Sequence, residues 1–197
     1  MSGRAEFFDD LADRWDSMEE DLEDRLELVV RKARIAPGMD ILDVGTGTGV
    51  LIPLLLRAMD NTGRIRAIDI SPGMLRVAAS KQFPDVVELE LADIECFQSP
   101  DCCYDRVVCN AVFPHLTNKD AALSRMARML RPGGLLVISH PTGREHVNRI
   151  HAETGSVVAD DRVPDAARMR QMLESAGLAD AVVIDEPEFY LAMAARR

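Results

Sequence analysis

Apolar and polar positions along the chain follow two periods, one near 3.6 and one near 2, and they alternate. From about residue 6 to residue 32, charged and apolar residues recur at helical spacing. Leu22, Leu26, Val29 and Val30 share one side, which predicts a helix. The run Ala36, Pro37, Gly38 stops it. Residues 41–44, "ILDV", read as a short buried strand, followed by glycines at 45, 47 and 49. Residues 50–59 read as a helix, with Pro53 tolerated in its first turn. Residues 63–71, "GRIRAIDIS", are a second strand, and Ser71 caps the helix that Pro72 opens. Residues 86–94 and 104–113 are the third and fourth strands, and a helix spans 119–130. A glycine turn and fifth strand fill 131–141; a helix over 164–176 ends at Gly177. The last stretch, 180–196, is a pair of strands turning at Glu186 and Pro187. Strands alternating with helices at this spacing predict an α/β fold, a parallel sheet with helices on both faces. Such sheets bind ligands at the carboxyl ends of the strands, where the strand order reverses.

At 197 residues the chain suits a single domain, read as 1–197, with no internal repeat or low-complexity linker. The 23 basic and 33 acidic residues leave a net charge of −10. Nucleic-acid binders usually present a basic patch. The only basic cluster is Arg31 to Arg34, which reads as the solvated end of a helix. A small-molecule substrate is therefore expected, with no nucleic acid and no membrane; a homodimer is left open. The first ten residues carry acids where a signal peptide would be apolar, and no apolar run approaches the ~20 residues of a membrane span. Cys96, Cys102, Cys103 and Cys109 form no C-x-x-C pair, so reduced thiols in a cytoplasmic protein are expected.

The glycine turn narrows the ligand. Glycine after a first strand lets a ligand lie against bare backbone. A dinucleotide fingerprint would need glycine where Val50 stands, and a P-loop would need lysine and a hydroxyl residue after Gly49. The spacing here, led by Asp43, is neither. The second strand ends at Asp69, placed to accept both hydroxyls of a ribose. The third ends at Asp93, placed to accept from an exocyclic amine such as adenine's, with Ile70, Met74 and Ile94 to sandwich a flat base. Acids at three adjacent strand tips describe a pocket for adenosine attached to something cationic rather than to a pyrophosphate.

Together "ILDVGTGTG", "RAIDIS", "LADIE", "DRVVCNAVFPHL" and "MLRPGGLLVIS" resemble a class I S-adenosylmethionine-dependent methyltransferase. The N-terminal "FFDDLADRWD" is similar to the cap helix of the ubiquinone/menaquinone C-methyltransferase-like branch, whose members act mainly on small molecules. The resemblance implies a Rossmann-like three-layer sandwich whose seven-stranded, mostly parallel sheet has its last strand antiparallel. It implies cap or lid helices over 1–34 and a cofactor-binding core over 35–197. Gly45, Thr46, Gly47 and Gly49 would follow the methionine part of S-adenosyl-L-methionine, with Asp43 supporting the loop. Asp69 would hold the ribose and Asp93 with Ile94 the adenine. Asn110, with Ala111, would face the sulfonium.

Methyl transfer is an in-line displacement, so a base is needed only where the acceptor must lose a proton. His115, just after strand four, is the candidate catalytic base; it could equally cap a helix or pack. Phe113 could wall the substrate or fill core, and His140, ending strand five, could face the same cleft. Phe8 and Trp15 lie on one apolar face of the first helix, which is either packed or a lid over the substrate chamber. Residues 142–163 would form the other wall. Nothing enforces a metal-ligand spacing on His115, His140 and Cys109, and no metal is expected. The alternatives are a non-catalytic S-adenosylmethionine sensor and a nicotinamide-dependent oxidoreductase; Val50 and Asp93 oppose the second.

Overall fold

A computed structural model describes residues 3–18 and 22–197. Its seven strands are β1 (Asp40–Val44), β2 (Arg64–Asp69), β3 (Val87–Leu91), β4 (Tyr104–Asn110), β5 (Leu130–His140), β6 (Leu178–Glu186) and β7 (Phe189–Arg196). They form one sheet in the order β3-β2-β1-β4-β5-β7-β6. Every neighbouring pair from β3 to β5 is parallel, whereas β7 runs antiparallel to both β5 and β6. The helices are α1 (Gly3–Leu11), α2 (Trp15–Met18), α3 (Glu23–Lys32), α4 (Ile52–Ala58), α5 (Pro72–Ser80), α6 (Lys119–Met129), α7 (Arg144–Glu153) and α8 (Ala166–Ser175).

The central strands are apolar almost throughout because both of their faces are covered. Alternation along β1 divides the core. Ile41 joins Leu26, Val30 and the α4 leucines on one face, while Leu42 and Val44 join Met126, Leu173 and their neighbours from α6 and α8 on the other. Val29 of α3 and Ala33 just past its end close over Val137 and Leu191. The order reverses between β1, whose chain continues outward to β2, and β4, whose chain continues the other way to β5. The crevice at their carboxyl ends is where a ligand belongs.

Of the departures from the periodic reading, three bear on the site. The single helix expected over 6–32 is broken: a 3-10 turn, Ala12–Arg14, separates α1 from α2, and α3 begins afresh at Glu23, residues 19–21 lying outside those described. The break lets α1 and the 3-10 turn lie on α5 while α3 packs on α4. The helix expected from Val50 starts at Ile52 because the glycine turn extends to Leu51. The fourth strand stops at Asn110, where Ala111 takes the left-handed conformation (φ 58°) and Phe113–His115 form a 3-10 turn. Among the described residues no helix is long and apolar enough to cross a membrane.

Candidate active site

The turn after β1 is pinned by β2. The Gly45 and Thr46 amides both donate to the Ile68 carbonyl, at 2.8 and 3.0 Å, and the Gly47 amide donates to Asp69 Oδ2 at 2.8 Å. Thr46 Oγ1 donates to Asp43 Oδ2 at 2.7 Å, so the buried carboxylate at the end of β1 holds the loop from beneath. Two glycines are required here for different reasons. A Cβ on Gly45, at φ 66°, would stand 2.0 Å from Val112 Cγ2. At Gly47, φ 58°, the nearest atom to an added Cβ is Trp15 Nε1 at 4.0 Å, so that backbone opens onto free space.

That space is a cavity at the β1/β4 crevice, enclosing about 1070 Å³ with its open mouth included. Asp43, Gly45, Thr46, Gly47, Asp69, Ile70, Met74, Asp93, Ile94 and Asn110 all line it, so the three strand-tip carboxylates face one hollow. Phe8, Trp15 and His115 line it too. Phe8 stands edge-on to both, with ring centroids 6.0 Å from Trp15 and 5.1 Å from His115. Three expected residues do not line it. Gly49 faces Phe83, which an added Cβ would approach to 3.0 Å. Phe113 is buried in the core beside β4. His140 pairs across the sheet with Tyr190, and its Nδ1 lies 3.2 Å from Thr142 Oγ1. Burial, with the nearby imidazoles of His115, His151 and His146, lowers the His140 pKa to about 3.

The electrostatics favour a cationic ligand. Burial first, and then Asp69, raise the Asp43 carboxyl to about 6 against the bond from Thr46. Burial likewise raises Asp69, against backbone bonds from Ser71, Gly47 and Ile70. A positive charge nearby would relieve both. Asp93 Oδ1 accepts from the Glu95 amide at 2.8 Å, and Glu95 accepts from the Thr117 and Asn118 amides, fixing the wall below the third strand tip. Ala111 keeps its strained backbone beside the cavity through a 2.8 Å bond to the Ser139 carbonyl, and Ser139 Oγ donates to Asn110 Oδ1. Among the described lining residues the basic groups are Arg4 and His115, and Arg4 is bound to Asp161, so no cation is placed for a pyrophosphate. The donor set fits S-adenosylmethionine: acceptors for hydroxyls and an amine, bare backbone, and negative charge around a hollow. Among the same residues no group of three His, Cys, Asp or Glu side chains is arranged to hold a metal ion.

Arg4, Glu95 and Thr117 are cavity residues that periodicity and motif spacing do not mark. Nor do they mark Asp161, which lies behind the lining and reaches His115 from 46 positions away. Only contacts between distant segments reveal them.

Fold and cavity define the class I S-adenosylmethionine-dependent methyltransferases, and residues 35–177 match the family described as a methyltransferase domain, to which the chain belongs. Over 141 residues the chain is 33% identical to the ubiquinone/menaquinone biosynthesis C-methyltransferase UbiE of Bordetella avium, covering 68% of this chain and 55% of that one. It therefore spans little more than half the length of that relative. In structure it resembles a chain of the complex between the Haloferax volcanii Trm112 methyltransferase activator and the putative methyltransferase, with a TM-score of 0.79, 20% identity and coverage of 95% and 96%. It also resembles a SAM-dependent methyltransferase from Aquifex aeolicus, with a TM-score of 0.73, 23% identity and coverage of 96% and 97%. At such identities these two structures establish the fold.

Proposed function

We propose that the chain transfers a methyl group from S-adenosylmethionine to a small, hydroxylated acceptor whose proton His115 removes. One observation carries this reading: a single cavity is lined by three carboxylates and an open glycine backbone together with His115, Phe8 and Trp15. Asp69 would accept the ribose hydroxyls and Asp93 the adenine amine. Ile70, Met74 and Ile94 would enclose the base, and Asp43 would steady Gly45, Thr46 and Gly47 along the methionine part. Bound there, S-adenosylmethionine supplies a methyl carbon made electrophilic by its positively charged sulfur.

The chain's own contribution is alignment, exclusion of water and one proton. Phe8 and Trp15 of the N-terminal segment cover the cavity and shape the acceptor's place as a lid over the core formed from residue 35 onward. His115 Nε2 takes the proton from the acceptor hydroxyl, which raises electron density on the oxygen or on a conjugated carbon. The carbon case is favoured by the C-methyltransferase name of the relatives. The four free cysteines suit a cytoplasmic protein.

Thermal-shift and calorimetric titration with S-adenosylmethionine, its demethylated product and NADH test the cofactor. The first two are expected to bind and the third to leave the protein unchanged. Incubation with methyl-labelled cofactor and a metabolite extract tests the transfer. Saturable binding with no labelled product from any extract would make the chain a sensor instead.

A further inference from the structure

Four segments far apart in the chain meet beside the acceptor end of the cavity: Arg4 of α1, His115 of the 3-10 turn after β4, His151 of α7, and Asp161 in the loop before α8. Asp161 is 5% exposed. Its Oδ1 accepts from an Arg4 terminal nitrogen at 2.6 Å, and its Oδ2 lies 3.3 Å from Arg4 Nε and 2.8 Å from His115 Nδ1. Its main-chain carbonyl lies 2.9 Å from His151 Nδ1. The two imidazole centroids are 4.8 Å apart. Burial opposes charge on Asp161, but the bonds from His115 and Arg4 prevail and hold its carboxyl at about 2. An ionised carboxylate only accepts, and a guanidinium only donates. His115 Nδ1 must therefore carry a proton toward Asp161, which leaves the lone pair of the neutral ring on Nε2.

We propose that Asp161, locked by Arg4, is the positioning residue that fixes His115 in its Nδ1-protonated tautomer and so commits the site to acceptors with a removable proton, such as a phenol or an enol. What the lone pair is for rests on the function proposed above; the tautomer does not. In the step it serves, the acceptor's O–H proton passes to Nε2, the O–H electron pair stays with the acceptor, and the imidazolium keeps its Nδ1–H on Asp161. The proton then leaves to solvent.

Imidazole nitrogen shifts of the full chain, labelled at histidine and recorded in alkaline buffer, read the tautomer directly. In the parent protein His115 and His151 are both expected to be protonated at Nδ1. Asp161→Asn keeps the shape but offers one oxygen. Arg4, having only donors, takes that oxygen and turns the amide NH2 toward His115, which can meet it only with a lone pair on Nδ1. The His115 tautomer is expected to invert, while His151, held by the main-chain carbonyl at 161, keeps its signal and reports an intact fold. Adding Arg4→Met frees the amide to turn over and is expected to restore the parent tautomer. An Nε2-protonated parent, or an Asp161→Asn spectrum unchanged at His115, would overturn the proposal. If Asp161→Asn loses the His151 signal, the parent spectrum and the Arg4→Met single variant decide, both expected to keep the Nδ1-protonated form; inversion in either overturns it. Calorimetry with S-adenosylmethionine is expected to give equal affinities for parent and Asp161→Asn. A parent that does not bind the cofactor would sink the proposed function and leave the tautomer result standing.

Discussion

Asp69 performs two tasks with one carboxylate. Oδ2 accepts from the Gly47 amide and Oδ1 from the Ser71 amide, at 2.8 and 2.9 Å, so it ties the glycine turn to the start of α5 before any ligand arrives. Asp69→Ala is expected to weaken S-adenosylmethionine binding by about 1–3 kcal/mol, roughly five- to 150-fold, since buried donors lose their acceptor. Calorimetry alongside chemical denaturation separates that loss from the accompanying loss of stability, and unchanged affinity would remove Asp69 from the site. Asp43 makes the second prediction. Its folded carboxyl is raised to about 6 by burial and then by Asp69, against an unfolded value of about 3.9. Between those values the folded chain binds a proton that the unfolded chain has released. The stabilisation linked to Asp43 is thus complete below about pH 4 and declines as pH rises through 6. A sulfonium reverses the preference, so cofactor binding near pH 6 is expected to expel protons. Calorimetry in buffers of different ionisation enthalpy should find release with S-adenosylmethionine, less with the uncharged-sulfur product, and less again in Asp43→Asn. Equal release in parent and variant would assign the proton elsewhere. Asp43, Asp69 and Asp93 were legible in the sequence because a strand tip is a local feature. Asp161 was not, because Arg4 lies 157 positions from it and nothing in "ADDRVP" separates it from a solvated acidic turn.

At the scale of elements, strand limits were readable to within a few residues because two-sided burial writes near-continuous apolar runs, as in "ILDV" and "RVVC". The N-terminal helix was misread for the opposite reason: its breaks are made by partners elsewhere. Asp9 Oδ1 accepts from Ser71 Oγ at 2.5 Å and from the Gly73 amide at 2.7 Å, joining the cap of α5. Asp13 pairs with Arg76, and Asp16 with Lys81 and with the Thr48 hydroxyl of the glycine turn. No helical period encodes such anchors. They predict that the segment can be released without disturbing the sheet. A Cβ at Gly73 would lie 2.8 Å from Asp9 Oδ1 and 3.2 Å from Asp9 Cα, so Gly73→Ala should push α1 away while improving the intrinsic propensity of α5. Hydrogen exchange is expected to quicken across residues 3–18 and stay unchanged in β1, β4 and β5. Asp9→Ala should do the same through a lost cap of about 1 kcal/mol. Exchange that stays slow in both variants would mean that apolar contacts of Phe8 and Ala12, rather than the aspartates, hold the segment.

The whole molecule adds a field to the site. A net charge of −10 surrounds a cavity whose own wall is acidic. S-adenosylmethionine carries one more positive charge than its demethylated product, so the same field that attracts the donor does nothing to retain what is left after transfer. The contact share of this preference is short-range and partly buried, and it survives added salt. The long-range share is screened, since the Debye length falls from about 10 Å at 0.1 M to about 3 Å at 1 M. Donor affinity is therefore expected to drop roughly three- to tenfold across that range, while product affinity changes far less. The donor-to-product affinity ratio, measured by competition calorimetry at both ionic strengths, isolates the effect from general salt influences on adenosine binding, which the two ligands share. An unchanged ratio would confine the recognition of positive charge to groups in direct contact and make the acidic surface irrelevant to turnover. A falling ratio would tie product release, which alternating occupancy of one cavity requires, to the charge of the entire chain.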